Sequence, residues 1–177
     1  MTIGFIPLPF GARDLKVYPL NGETIGAGVD LPNTRTLSFS EAESFQDLRG
    51  DDALVAVHGV GPEVQWEIEG GGCCLEVIKT IFAGTITETG TSPNGIKTYH
   101  KVRTDVRPYF RIEGQAISDS GGDFHIVIYR ARATGDLTGK LSDSAFFLTN
   151  VKGRGLGRLS DNALYDFVQN ETQTAIV

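Results

Sequence analysis

Apolar residues fall at every second position over much of this chain. In 12–20, Leu15 and Val17 alternate with Lys16 and Tyr18; in 63–70, Val64, Trp66 and Ile68 alternate with Glu63, Gln65, Glu67 and Glu69. A period of two turns one face to a core and the other to water, the signature of a half-buried strand. The same criterion predicts strands at 35–39, 53–59, 85–89, 96–104, 108–117, 123–134 and 144–151. Turn residues punctuate them: "GVGP" (59–62), "SPNG" (92–95), "DSGG" (119–122) and "TGDLTGK" (134–140), with a Gly-rich loop at 152–162. In 123–134, Val127, Tyr129, Ala131 and Ala133 keep one face apolar, while the other runs from Phe124, Ile126 and Ile128 to Arg130 and Arg132. That switch predicts a strand leaving the core for a polar interface.

Only "CCLEVIKTIFAG" (73–84) changes period, with Cys74, Val77, Ile78, Ile81 and Phe82 at helical spacing, so a helix is expected over about 73–83 with Gly84 as its stop. Residues 40–52 read two ways: Ser40 and Glu43 make a capping box, or the stretch is the irregular tip of a hairpin joining 35–39 to 53–58. Many short strands and one helix imply a mainly β fold, a β-sandwich or barrel-like core with one flanking helix and a long hairpin or loop at about 35–58. With no repeat or linker, 1–177 reads as a single domain, with an N-terminal arm at 1–11 and a C-terminal arm at about 163–177.

Composition narrows the class. A chain of 177 residues, 40% apolar and 21% charged, buries enough surface to fold without metal or disulfide staples. Its two cysteines, Cys73 and Cys74, are adjacent, too close for an unstrained bridge, and read as reduced. The first residues lack a basic segment and a long apolar run, so no secretory signal is expected, and no stretch reaches the ~20 apolar residues of a membrane span. The net charge of −6 divides into −8 over residues 1–90 and +2 over 91–177. Such a balance argues against a basic groove gripping nucleic acid.

The candidate chemistry is thin. Asp119-Ser120-Gly121-Gly122 spells the nucleophile tetrapeptide of trypsin-like proteases, and His58 precedes it in the required order. However, Ser118 and Asp123 stand where that pattern has Gly and usually Pro, so a hairpin turn with an inert Ser120 is the expected reading, and a serine hydrolase the remote one. His58, His100 and His125 show no metal-ligand spacing, "GRGLG" and "GDLTGKL" fail as nucleotide loops, and Glu67/Glu69 belong to a solvated strand face. No catalytic residue, cofactor or metal is expected.

Three long stretches, "LSFSEAESFQDLRGDDALVAVHGVGPEVQWEIEGGG" (37–72), "YFRIEGQAISDSGGDFHIVIYRARATGDLTGKLSD" (109–143) and "LYDFVQNET" (164–172), resemble the major tail tube proteins of long, non-contractile-tailed bacteriophages, particularly those of actinobacteria. The resemblance spans about residues 12–174. It implies a virion structural protein, assembled in the host cytoplasm, whose hexameric rings stack into a hollow tube. A tape measure protein would fill that tube, tail terminator and distal tail proteins would meet its ends, and genomic DNA would pass through it unbound. Six copies would carry a formal −36, which in a lumen wall would repel DNA. On this reading Glu41, Glu43, Asp47, Arg49, Asp51, Asp52, Arg130 and Arg132 are the candidate assembly or lumen-facing positions. A β-sandwich decoration or receptor-binding module is the alternative.

Overall fold

The computed structural model describes residues 6–139, 141, 143 and 148–176. Among these the chain forms, in order, β1 (Pro9–Asn21), β2 (Thr24–Ile25), β3 (Val29–Asp30), β4 (Thr34–Gly50), β5 (Ala53–Gly71), α1 (Leu75–Phe82), β6 (Thr85–Thr89), β7 (Ile96–His100), β8 (Phe110–Ser118), β9 (Asp123–Ala133), β10 (Leu148–Leu156) and β11 (Tyr165–Asn170). The fold is mainly β with one helix, as its periodicities predict. The main antiparallel sheet runs β2-β1-β8-β9-β10-β5-β4, and β6-β7 is a separate hairpin. Strand β9 is shared along its length: residues 123–128 pair with β11 and 130–133 with β10. The sheet curls until β4 comes up against β1, with the Leu37 side chain of β4 over Gly114 of β8, and the Phe39 ring of β4 lies 4.7 Å from that of Tyr165 on β11.

Inside the curl lie Leu15, Val17, Val64, Trp66, Ile68, Phe110, Ile112, Ile128, Ala131 and Val151. Trp66 and Phe110 meet edge to face at 5.5 Å. Helix α1 closes one end with Val77, Ile78, Ile81 and Phe82 buried. It stops at Ala83 and Gly84, both at positive φ, and Tyr99 and Lys101 donate to the last carbonyls, those of Ala83 and Phe82. The helix begins at Leu75, two residues later than its apolar stripe suggests.

Several expectations change. Of the two readings of 40–52 the hairpin joining 35–39 to 53–58 holds and the helix does not, but the tip is regular: β4 continues to Gly50, and Asp51 and Asp52, both at positive φ, make a two-residue turn of the type I′ kind. The expected break at 59–62 is absent, because β5 continues through it with a register shift between Gly59 and Pro62 and Gly61 at φ +97°. The Gly-rich stretch after 151 is strand as far as Leu156, not loop. There Gly153 and Gly155 face inward, where a Cβ would strike Trp66 or Val64. The expected C-terminal arm contains strand β11 at Tyr165–Asn170, and the strand expected at 96–104 ends at His100. Residues 1–5, 144–147, Lys140 and Val177, on which parts of the expected arms, a strand and a turn fall, lie outside the described residues.

The polar switch in β9 has a local cause. Ile112 pairs with Ile128 but Phe110 with Ala131, so β9 spends three steps where β8 spends two, a β-bulge. The extra residue moves Ala131 and Ala133 onto the inward face that carried Ile128. Arg130 and Arg132 thereby face outward while the strand stays in the core.

Candidate assembly surface

The hairpin of β4 and β5 leaves the curled sheet near Glu43 and Pro62, and every residue from Ser40 to Val60 is exposed. Paired residues share a face, and alternate residues share it along a strand. The pairs Glu41/Val64, Glu43/Pro62, Phe45/Gly59 and Asp47/Val57 thus extend the face that within the core carries Leu37, Phe39, Trp66 and Ile68. Outside the core this face bears Phe45 (62% exposed) and Val57 (53%), and the opposite face bears Leu48 and Ala56. Apolar side chains therefore stand in water on both faces of the hairpin, which makes it the candidate interaction surface of the molecule. The strand edges present further unpaired backbone groups.

Charge is set among these apolar residues. Glu41 accepts the Tyr165 hydroxyl at 2.6 Å, a bond that raises the tyrosine above its ordinary pKa and ties the hairpin's root to β11. The Glu43 carboxylate lies over Gly59, and Asp47 sits 4.0 Å from Arg49. Asp51 and Asp52 hold the tip. These six residues and the other two candidate positions, Arg130 and Arg132, lie in different parts of the molecule. Ala131, Gly155, Val64 and Glu41 lie on one register line across four strands, and the hairpin runs nine residues beyond it to Gly50, about 30 Å at 3.4 Å per residue.

Arg130 and Arg132 flank one ring, their guanidinium carbons 4.0 and 5.0 Å from the centroid of Tyr109. Among the described residues neither forms an ion pair. Arg111 lies nearby between the rings of Tyr18 and Tyr129 and pairs with Glu113 at 3.1 Å, and Arg158 lies over Tyr129 and pairs with Asp161. Burial first, then the Glu113 carboxylate, pushes the Tyr18 hydroxyl up to about 12.

The C-terminal residues 171–176 form a strap that periodicity did not reveal. Its anchor is Asp123, with 0% exposure. One carboxylate oxygen accepts from Gln115 Nε2 (2.6 Å), Thr174 N (2.7 Å) and His125 Nε2 (3.1 Å), the other from Asn170 Nδ2 (2.8 Å). Burial opposes ionisation of Asp123, but these donors outweigh it and hold the carboxyl below its usual range. Gln115 also donates to Thr174 O, Lys16 Nζ to Ile176 O, and the Ile176 side chain is buried.

Ser120 has a comparable structural task. In the β8–β9 turn its Oγ donates to Ile6 O (3.0 Å) and lies 2.8 Å from Ser118 Oγ, which accepts from Leu8 N (2.8 Å). The turn thus pins the N-terminal segment, and His58 lies on the distal hairpin, paired with Gln46. No imidazole contacts Ser120 among the described residues, so a fluorophosphonate probe is expected to leave it unlabelled in an intact-mass measurement. Ser120→Ala is expected to cost less than about 1 kcal/mol while speeding amide exchange at Leu8.

Among the described residues no group of three His, Cys, Asp or Glu is placed to hold a metal ion, and no helix is long and apolar enough to cross a membrane. No protein-family model matches the chain, and a search of the curated proteins gives no match.

Proposed function

We propose that this chain is a self-assembling structural subunit, the major tail tube protein of a long, non-contractile-tailed bacteriophage. In this role it is a virion component without catalytic activity. Its hexameric rings stack around a tape measure protein, end at terminator and distal tail proteins, and later conduct DNA that they do not bind. The observation that carries the proposal is the hairpin of β4 and β5, whose exposed apolar residues make sense once a second copy covers them. Phe45, Leu48, Leu54 and Val57 would each contribute roughly 1.5–3 kcal/mol on full burial, enough for four such contacts to offset much of the entropy lost on association. The tube itself enters from the sequence resemblance over 37–72, 109–143 and 164–172, and the acidic balance suits a conduit that must release DNA.

Negative-stain electron microscopy of the purified, concentrated protein tests the reading. Regular rings or tubes are expected. Dispersed monomers or trimers at every concentration would overturn it in favour of a decoration or receptor-binding module.

A further inference from the structure

Between the β1–β2 turn and the loop 157–163 lies a cleft of about 230 Å³, lined by Glu23, Ile25, Arg111, Tyr129, Arg130 and Arg158 among others. Three arginines line it with one glutamate, but Arg111 and Arg158 are balanced by Glu113 and Asp161, and Glu23 is already engaged as an acceptor from Ser160 N at 2.7 Å, so the uncompensated charge at the cleft is that of Arg130. Each guanidinium group lies over a tyrosine ring, Arg130 over Tyr109 at 4.0 Å, Arg158 over Tyr129 at 4.3 Å and Arg111 over Tyr129 at 5.5 Å, a cation–π contact that limits its side-chain freedom. Arg111 and Arg158 have carboxylate partners; Arg130, at the cleft, and Arg132, across the Tyr109 ring, have none among the described residues. Two neighbouring cations without a counter-charge repel one another, so an anion entering the cleft gains charge-assisted hydrogen bonds from Arg130 and offsets its repulsion with Arg132.

The same chain carries a matching group. Between residues 41 and 52 the hairpin holds five carboxylates against Arg49, a balance of −4, and its outermost residues are Asp51 and Asp52, which no cation meets among the described residues. The two features cannot join within one molecule, because the hairpin extends about 30 Å past the level of Ala131. We propose that the Asp51–Asp52 turn of one copy docks in this arginine-lined cleft of a second copy. This contact is heterologous, which is the geometry that generates rings or open stacks rather than closed pairs. The inference rests on the self-assembly reading and specifies which surfaces that assembly joins.

The test exchanges charges between full-length chains: one variant carries Asp51→Lys and Asp52→Lys, the other Arg130→Glu and Arg132→Glu. Each alone is expected to lose at least ten-fold in sedimentable assemblies, and an equimolar mixture, in which each altered tip finds an altered cleft, to recover to within about two-fold of wild type. A fold-independent measurement accompanies it. In the Arg130→Lys variant, carbodiimide treatment of the assembled protein is expected to couple Asp51 or Asp52 of one chain to the amine at position 130 of another. Wild-type assembly with indifferent charge variants, or without rescue in the mixture and without that cross-link, would overturn the docking alone. Loss of assembly in the arginine variant only would overturn it in favour of another anion in the cleft, such as a nucleic acid phosphate. A wild-type protein that never associates would overturn the docking together with the function it rests on.

Discussion

Replacing Asp123 with alanine is expected to destabilise the protein by about 3–5 kcal/mol. A carboxylate with no exposed surface collects four donors, one of them the backbone N–H of Thr174. Removing it strands those donors away from water, where each unmet hydrogen bond to a charged group costs roughly 1.5–3 kcal/mol before relaxation. Relaxation is available here, because the strap can lift and let water reach Gln115 and His125, which keeps the sum below four full penalties. For a domain of this size the melting temperature should fall by on the order of 10 °C. Asp123→Asn should rescue part of the loss, since an amide oxygen at the position that accepts three donors keeps those contacts without the charge, while its NH2 faces the Asn170 amide. Amide exchange should rise across 171–176 before the rest of the chain.

The same residue sets an acid limb. Its folded pKa lies below the ordinary carboxylate value, so the stability it contributes is fully present above the unfolded pKa of about 3.9 and is lost as pH falls through the lower folded value. The gap in stability between wild type and Asp123→Ala should therefore be constant near neutrality and narrow below about pH 4. Denaturant titrations at several pH values measure it. A gap that stays unchanged down to pH 2, or a neutral-pH difference under 1 kcal/mol, would remove Asp123 from its place as the strap's anchor.

Why alternation located β1, β5 and β8 but missed β11 and the end of β10 follows from what each strand faces. Leu15/Val17 and Val64/Trp66/Ile68 meet the interior, so burial writes a period of two into the sequence. In β10 the inward positions Gly153 and Gly155 have no side chain to reveal the period, because the Trp66 ring and the β9 backbone occupy that space; Val151 two residues earlier was the available signal. Strand β11 packs its aromatic residues at the rim, with Phe167 half exposed, and so reads as a polar tail. The bulge in β9 inverted the meaning of Arg130 and Arg132, since two faces cannot be followed through an inserted residue by parity alone. For the candidate site, sequence supplied the acidic residues of 41–52 but not their separation from the arginines, which depends on how far an unbroken hairpin projects.

Excising the distal hairpin should separate folding from assembly. Replacing residues 44–61 by Asn-Gly joins Glu43 directly to Pro62, a pair already opposite one another, through a turn suited to two-residue hairpins. The excised residues through Val60 are all exposed, so no core contact is lost. The melting temperature is expected to stay within a few degrees of wild type, while rings or tubes disappear and the protein sediments as a monomer at concentrations where the full chain assembles. Phe45→Ser with Val57→Ser should move in the same direction without altering chain length. It removes the two apolar side chains of one face, each worth roughly 1.5–3 kcal/mol when covered, and so should raise the concentration needed for assembly by at least ten-fold. Tubes from the excised protein at wild-type concentration would show that the hairpin is not the joining element. A large fall in melting temperature would instead mean that the hairpin stabilises the fold from which it projects. The two readings part on these measurements because the hairpin's apolar surface serves either the chain's own core or a neighbour, and residues from Ser40 to Val60 are exposed in the single chain, so the proposed assembly predicts that their removal is felt between copies and not within one.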